Sequence, residues 1–478
     1  MKPLRAWPLL APLAVCVLLA GWIVLSVANV RGAGFSIFVL AVANLIVFTD
    51  ALDFALRLYM RRRHTIAAGG ISDGNRAARI SINLAAILPP DARRLVPAAP
   101  FAIIASIFNL EERLEEFMAA FGPYRHRVWL LSDGSTDNTV LRLRQAGWRC
   151  FEDGVNRRKP GALRRLLELL PKHIETVMVI DPDIRIRGLD EGSTIDVDQF
   201  VSDFQRSGAA AACPRIMIEP DGFLARFQAF EYALACGVGR ESLADFSVTS
   251  GVSFYRRSAL ARALDEHSLS IYAEDFENAL ILLSHGERIY YDGRLVVSTE
   301  GPGSLQRWFS QRVGWYHGLI KVYIERFSEV LRISRRSPFA AYNYLIYIGG
   351  LGLVIHLVKI VSAALLLLSF LGGLDALLLD NFVPHGSLGN PEYFTAAITS
   401  YLALGVIALF TCVPEAERAY TAPIVPLYVC YTIIHIVPMT VGFGNFFALR
   451  LFRRRIYQDH YETPADLGVA AAKVRMNE

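Results

Sequence analysis

Paired-cysteine chemistry is missing from this sequence. None of the six cysteines (Cys16, Cys150, Cys213, Cys236, Cys412 and Cys430) forms a C-x-x-C pair or stands at zinc-type spacing from a histidine. Three lie in apolar runs and three mid-chain, so they read as reduced, small core residues, which fits a domain facing the cytosol. A strong charge of either sign is missing too. Forty-nine Lys and Arg oppose 45 Asp and Glu, a formal net charge of +4, and the basic residues fall in short clusters. Nucleic-acid binding, which needs a sustained basic stripe, is therefore excluded. No regulatory domain is visible, and the tail after Arg455 carries no motif.

Apolar residues are abundant. They make up 53% of the 478 residues, with charged residues at 20%, and the mean hydropathy is +0.33. Such a mixture predicts a water-soluble core carrying membrane segments. Lys2 and Arg5 precede an apolar run from Trp7 to Val30, too long for the core of a secretory signal. A second run from Gly34 to Met60 ends in Arg61-Arg62-Arg63. Each can cross a bilayer, which takes about 20 residues, and charge at both outer ends predicts a hairpin with cytoplasmic termini. Asp50, Asp53 and Arg57 fall late in the second run, where the last turns are expected to reach the interface rather than to form an intramembrane site. Residues 1–63 are thus the membrane hairpin and 64–100 a connector.

From Phe101 strands alternate with helices, the pattern of an α/β domain with a largely parallel sheet over 101–300. The predicted strands are Phe101–Ser106, Val128–Leu131, the stretch Val177–Ile180 and Ala209–Ile218. Helices are expected over Glu111–Ala120, Ala162–Leu170 and Phe276–Ser284. In Val177–Arg185, VMVIDPDIR, a β-branched run is stopped by Pro182 and leaves Asp181 and Asp183 one residue apart at a strand's C-terminal end. Ligands collect there in open α/β sheets. Two such carboxylates can hold a hard divalent cation and leave room for waters and a diphosphate. A solvated turn that happens to contain two Asp is the bland alternative.

Beyond residue 300, aromatic, apolar and basic residues alternate without a spanning run. This predicts interfacial amphipathic helices over 301–340. The 341–452 region holds spanning candidates at Tyr342–Leu371, Tyr393–Val413 and Pro423–Leu449, followed by a tail over 453–478. Arg453-Arg454-Arg455 argues for a cytoplasmic end, whereas three crossings from a cytosolic domain would end outside. Either one run holds two passes or a re-entrant piece, or the charge rule is broken. The prolines and glycines of the last run mark it as the one expected to be interrupted.

Eight motifs stand in series: SIFNLEE, SDGSTDNT, KPGAL, DPD, FQAFEY, SGVSFYRRSAL, AED and QRVGW. Together they resemble a membrane-embedded family 2 glycosyltransferase, the inverting superfamily of the cellulose, chitin and hyaluronan synthases. The resemblance covers Phe101–Gly318. It implies a Rossmann-like glycosyltransferase A-type domain inserted between membrane helices. It further implies a multi-pass protein of a bacterial inner membrane, its catalytic domain in the cytoplasm, and Mg²⁺ or Mn²⁺ as cofactor. The reaction implied is transfer from a UDP-sugar to a growing β-linked polysaccharide, with export through the membrane helices. Membrane lipids, a homo-oligomeric copy and accessory export proteins are the further partners it allows. A single transfer to a lipid acceptor and an inactive scaffold of the same fold are the competing readings.

Residue by residue, the resemblance places Asp183 on the metal, with Asp181 on the metal or the donor's sugar. Asn109, Glu111, Asp133 and Lys159 fall on the nucleotide-sugar, and Asp275 with Glu274 on the acid–base chemistry. A carboxylate is needed there to take the acceptor hydroxyl's proton. Gln311, Arg312 and Trp315 fall on the acceptor, Trp315 as a stacking face. For Asp133, Asp137 and Asn138, turn and capping chemistry is the plain alternative. One departure stands out. Gly314 occupies the position where the family carries an arginine that meets the diphosphate, and Arg312 is the nearest substitute.

Overall fold

The computed structural model describes residues 44–67, 98–268, 272–354, 356–378, 391–453 and 456–457. The first predicted membrane run, most of the connector and the tail lie outside them.

An eight-stranded sheet organises the domain, in the order β3-β2-β1-β4-β7-β6-β8-β5. Its strands are β1 (Phe101–Ile107), β2 (Val128–Ser132), β3 (Cys150–Glu152), β4 (Thr176–Val179), β5 (Arg185–Ile186), β6 (Ala211–Glu219), β7 (Ser253–Arg256) and β8 (Ile289–Glu300). The expectation of a largely parallel sheet needs correcting, because the sheet is mixed. β1, β2, β3 and β4 run parallel, as do β6 and β8, while β7 opposes both β4 and β6, and β5 opposes β8. The chain reaches four-residue β7 from its neighbour β6 through the largely helical segment 220–252 and enters the sheet reversed.

Alternation along β1 shows why the sheet is covered on both faces. Phe101, Ile103, Ala105 and Ile107 face one core, with α2 (Leu114–Phe121), α3 (Thr139–Gln145) and α5 (Val197–Ser207) packed over it. Ala102 and Ile104 face the other, under α4 (Arg158–Leu169), α7 (Arg257–Glu266) and α8 (Glu274–Ser284). Side chains on a strand alternate between faces, so apolar residues at both parities require two layers of helix.

The flanking helices fasten to this domain through specific residues. Before the domain comes α1 (Leu45–Ala67). Across 220–234, α6 (Phe223–Leu234) sends Phe227, Phe230 and Ala233 into one cluster with Trp308, Leu409, Val413 and Tyr431. α9 (Leu305–Glu325) and α10 (Phe327–Ser334) follow the sheet. Among the described residues, two helical stretches, Phe394–Thr411 and Glu415–Phe452, could cross a membrane by length and composition. A third forms if Pro338–Leu353 and Val358–Leu371, bent by 49°, count as one span. The sharp bend lies in the first C-terminal run, while the last is interrupted, as expected, by a tight helical turn over Ala422–Leu427 with Pro426 inside it. Within these runs are α11 (His356–Leu378), α12 (Pro391–Thr411), α13 (Glu415–Thr421), α14 (Tyr428–Ile434) and α15 (Ile436–Phe452).

The polar residues of α1 also depart from expectation. Arg57 is 5% exposed. It pairs with Asp53 at 2.9 Å and donates to Asn343 Oδ1 and Ser242 Oγ at 3.0 and 3.2 Å. Tyr342 OH donates to Asp53 at 2.8 Å. These groups are turned into protein, where a buried charge needs a partner, and they clamp α1 to the segment after α6.

Candidate active site

β1 lies between β2 and β4, with all three parallel. The chain leaves β1 for β2 on one side and later enters β4 on the other, which opens a crevice beyond their C-terminal ends. Asn109 stands two residues past β1, Asp133 directly past β2, and Asp181 two residues past β4. Topology alone therefore brings these three motifs to one edge.

The loops after β1 and β2 are tied to each other. Asn109 adopts a left-handed φ of 45°. Its Oδ1 accepts the Thr136 amide at 2.8 Å, and its own amide donates to Ser135 Oγ at 3.1 Å. Glu111 Oε2 accepts the Asn138 amide and Glu111 Oε1 the Asn138 side-chain amide, both at 3.0 Å. These bonds hold the Glu111 carboxyl below its usual range. Glu111 and Asn109 thus act here as latches that tie the loop after β1 to the loop after β2. Asp137 accepts the Thr139 amide at 3.0 Å at the start of α3, the capping role expected of it, while Asn138 makes no side-chain cap bond. Asp133 differs from both. It is 5% exposed, burial raises its carboxyl above the usual range, and its Oδ1 accepts the Arg157 amide.

The densest charge cluster joins three stretches far apart in sequence. Lys159, in the first turn of α4, places its Nζ 2.5 Å from Asp181 Oδ1 and 2.8 Å from Glu274 Oε1. Burial alone would lower the ammonium's pKa, but the two carboxylates outweigh it and hold it well above its ordinary value. Burial pushes Asp181 up to about 6, against the pull of Lys159. Its Oδ2 lies against Gly251, where a Cβ would overlap it, so this approach requires glycine. Asp275 is pushed up to about 7 by burial first and by the neighbouring Glu274 charge second. Its Oδ1 accepts the Phe276 amide at 2.8 Å, and its carbonyl accepts Thr249 Oγ1 at 2.5 Å. Ala273, before the helix, is left-handed at φ 59°, a conformation that a residue with a Cβ holds at some cost in energy.

Asp183 Oδ2 accepts Thr299 Oγ1 from β8 at 2.8 Å, leaving Oδ1 without a hydrogen bond among the described residues. No three His, Cys, Asp or Glu side chains gather there as a self-sufficient cation site among the described residues. Two strand-end carboxylates, one with an oxygen to spare, suit a hard cation that takes its remaining ligands from waters and phosphate oxygens. The donor set fits Mg²⁺ or Mn²⁺ on that basis.

No family model matches the chain, and no curated protein matches it. Among solved structures it is similar to the mannosyltransferase PcManGT from Pyrobaculum calidifontis in complex with GDP-Man and Mn²⁺. That likeness has 15% identity, covers 84% of this chain and 99% of that one, and has a TM-score of 0.42. It is also similar to glucosyl-3-phosphoglycerate synthase from Mycobacterium tuberculosis in complex with Mn²⁺ and uridine-diphosphate-glucose. There the identity is 16%, over 48% of this chain and 79% of that one, with a TM-score of 0.30.

On the other side of the crevice, α9 corrects the expectation for Arg312. This side chain is buried, 3% exposed. It is forked onto Glu231 of α6, with Nη1–Oε1 at 2.6 Å and Nη2–Oε2 at 2.7 Å. Successive helix positions are about 100° apart, so a residue two before Gly314 points elsewhere. A Cβ on Gly314 would stand 2.5 Å from Tyr272 Cε1, and one on Gly318 2.6 Å from Tyr272 Cβ. The tyrosine lies where a larger side chain at 314 would leave the helix. Lys321 pairs with Glu325 at 3.3 Å, and Arg307 is exposed on the first turn. Trp315 is partly exposed, and Gln311 Oε1 accepts Gln228 Nε2 at 3.4 Å. Trp308 packs in the core cluster with Tyr431.

Thr249, Thr299 and Tyr272 touch the site and were not foreseen. A lone Thr or Tyr carries no sequence signal; Glu231 lay inside the recognised FQAFEY motif, but its partner Arg312 becomes visible only once α6 meets α9. Gly251 lay inside a recognised motif, but its reason, the Asp181 carboxylate, is a matter of fold.

Proposed function

We propose that this chain is a membrane-bound inverting glycosyltransferase that moves a sugar from a nucleotide-sugar, a UDP-sugar by resemblance, onto the end of a β-linked polysaccharide. The observation that carries the reading is the Lys159–Asp181–Glu274 contact with Asp275 beside it. Three motifs converge within 2.5–2.8 Å at the switch point of the sheet.

In this reading the nucleoside sits against Asp133 and the latched loop. The diphosphate meets Lys159, whose ammonium stays charged, near the N-terminus of α4, where anions are favoured. Asp183, with Asp181, would hold the Mg²⁺ or Mn²⁺ ion, which when bound neutralises charge on the departing diphosphate. Asp275, poised near 7, takes the proton of the acceptor hydroxyl as its oxygen bonds to the anomeric carbon. The anomeric carbon–phosphate oxygen bond breaks, and its electron pair leaves on the nucleoside diphosphate. A base with a pKa near the working pH is the most effective one. The apolar stretches Phe394–Thr411 and Glu415–Phe452 support a membrane setting by length and composition.

The test is purified protein in nanodiscs with Mg²⁺ or Mn²⁺ and a panel of UDP- and GDP-sugars. It follows nucleoside diphosphate release and sizes the labelled product. A high-mass product supports the synthase reading; no release above background from any donor sinks the transferase. One observation favours a second reading, transfer of a single sugar to a lipid. Arg312 is held by Glu231 and does not replace the absent arginine at 314. A small, lipid-extractable product would select it.

A further inference from the structure

A buried polar network joins the acceptor side of the crevice to the apolar C-terminal helices. Arg312 and Glu231 form its centre. Tyr431 OH, on α14, donates to Glu231 Oε2 at 2.9 Å and accepts Trp308 Nε1 at 3.1 Å. His435 places Nε2 3.9 Å from the same carboxylate oxygen, and its Nδ1 lies 3.0 Å from Tyr316 OH. Arg312 Cζ lies over the Trp315 ring, 4.6 Å from its centre. The fork fixes the plane of the guanidinium, because two parallel bonds leave it no rotation. The cation so held backs one face of the indole, since a guanidinium is attracted to an aromatic face.

We propose that Arg312 and Glu231, tied by Tyr431 to α14, form a positioning device that sets the Trp315 ring. Through it, the C-terminal apolar helices control the acceptor side of the site. This rests on the transferase reading and deepens it. Arg312 is a positioning residue, because it is buried behind Trp315 and does not face the crevice. A shift of α14 that breaks the Tyr431–Glu231 bond frees the fork, and Trp315 loses its backing. Among the described residues, the donor groups Lys159, Asp181 and Asp183 share no bond with the network.

The experiment measures two quantities on full-length protein in nanodiscs with a labelled nucleotide-sugar. One is nucleoside diphosphate released; the other is the fraction of that release matched by sugar bound in product rather than free in solution. Tyr431→Phe removes only the hydroxyl, and Arg312→Lys keeps the cation but loses the fork. For Tyr431→Phe the bound fraction is expected to fall about tenfold, the weight of one hydrogen bond to a charged group, with the KM for the donor within about twofold of wild type. Arg312→Lys, which loses the fork itself, should lower the bound fraction at least as far. If release and incorporation drop in equal proportion, or neither changes, the network is structural packing and the proposal is overturned. If the wild-type protein releases no nucleoside diphosphate, the transferase reading fails before any substitution is compared, and the proposal fails with it.

Discussion

The two sides of the crevice put charge to opposite uses. At the ends of β1, β2 and β4, carboxylates and Lys159 face one another across the opening, three-quarters or less buried at Lys159 and Asp181 (25% and 36% exposed side chains). On α9 the strongest charge, Arg312, is turned inward and forked to Glu231, with side-chain exposures of 4% and 25%. Strand ends aim successive motifs at one edge whatever their distance in sequence. A helix distributes neighbouring residues around its axis, so a cation displaced by two positions cannot inherit the same task. Charge at the strand ends is therefore available for chemistry, and charge on α9 holds structure.

The largest effect should come from the donor side. Asp275→Asn is expected to lower sugar transfer by roughly 10²–10⁴-fold, the usual weight of a general base, measured by nucleoside diphosphate release at saturating donor. In the wild type, transfer should climb as pH rises through about 7, where Asp275 loses its proton. The stability effect has the opposite sign. Because the folded carboxyl keeps its proton above the ordinary value of 3.8, ionising it opposes folding increasingly from there up to about 7 and fully above it. Asp275→Asn should therefore raise the melting temperature at pH 8 and lose that advantage near pH 4. An inactive variant that also melts lower at pH 8 would show that the residue is structural.

A smaller effect is expected where the acceptor side is merely packed. Gly314→Ala puts a Cβ 2.5 Å from Tyr272 Cε1. The displaced ring should destabilise the protein by roughly 1–3 kcal/mol, as overpacking generally does. Denaturant unfolding in detergent checks it, and the loss should shrink when Tyr272→Ala is made as well. An unchanged unfolding midpoint for Gly314→Ala alone would break the packing account. Smallest of all should be Glu111→Gln, on an exposed latch. Donor KM should rise about threefold or less, because exposed charges contribute little. A hundredfold rise would mean that Glu111 touches the donor after all.

Much of the donor side was legible in the sequence. Val177–Ile180 runs straight into Pro182 between two aspartates, and β1 and β2 end in recognisable turns, so both strand ends and their carboxylates could be placed. What could not be read was pairing direction. β7 is four residues inside a motif, and a period of two looks the same in either orientation. The destination of long polar side chains was equally hidden. Arg312 finds its partner 81 residues earlier, and Arg57 reaches Asn343, 286 residues later. Adjacent positions in a sequence say nothing about such distances. The left-handed turn at Ala273 was likewise invisible, because alanine does not announce a positive φ.

The most direct test of the central claim, that the ends of β4, α4 and α8 form a cation-assisted nucleotide-sugar site, is calorimetric titration of UDP and GDP. The protein is wild type or Asp183→Ala, each with and without Mn²⁺. One nucleotide should bind the wild type strongly only when Mn²⁺ is present, and Asp183→Ala should lose the Mn²⁺-dependent part while unfolding at an unchanged midpoint. Equal binding by both proteins, indifferent to Mn²⁺, would contradict the account.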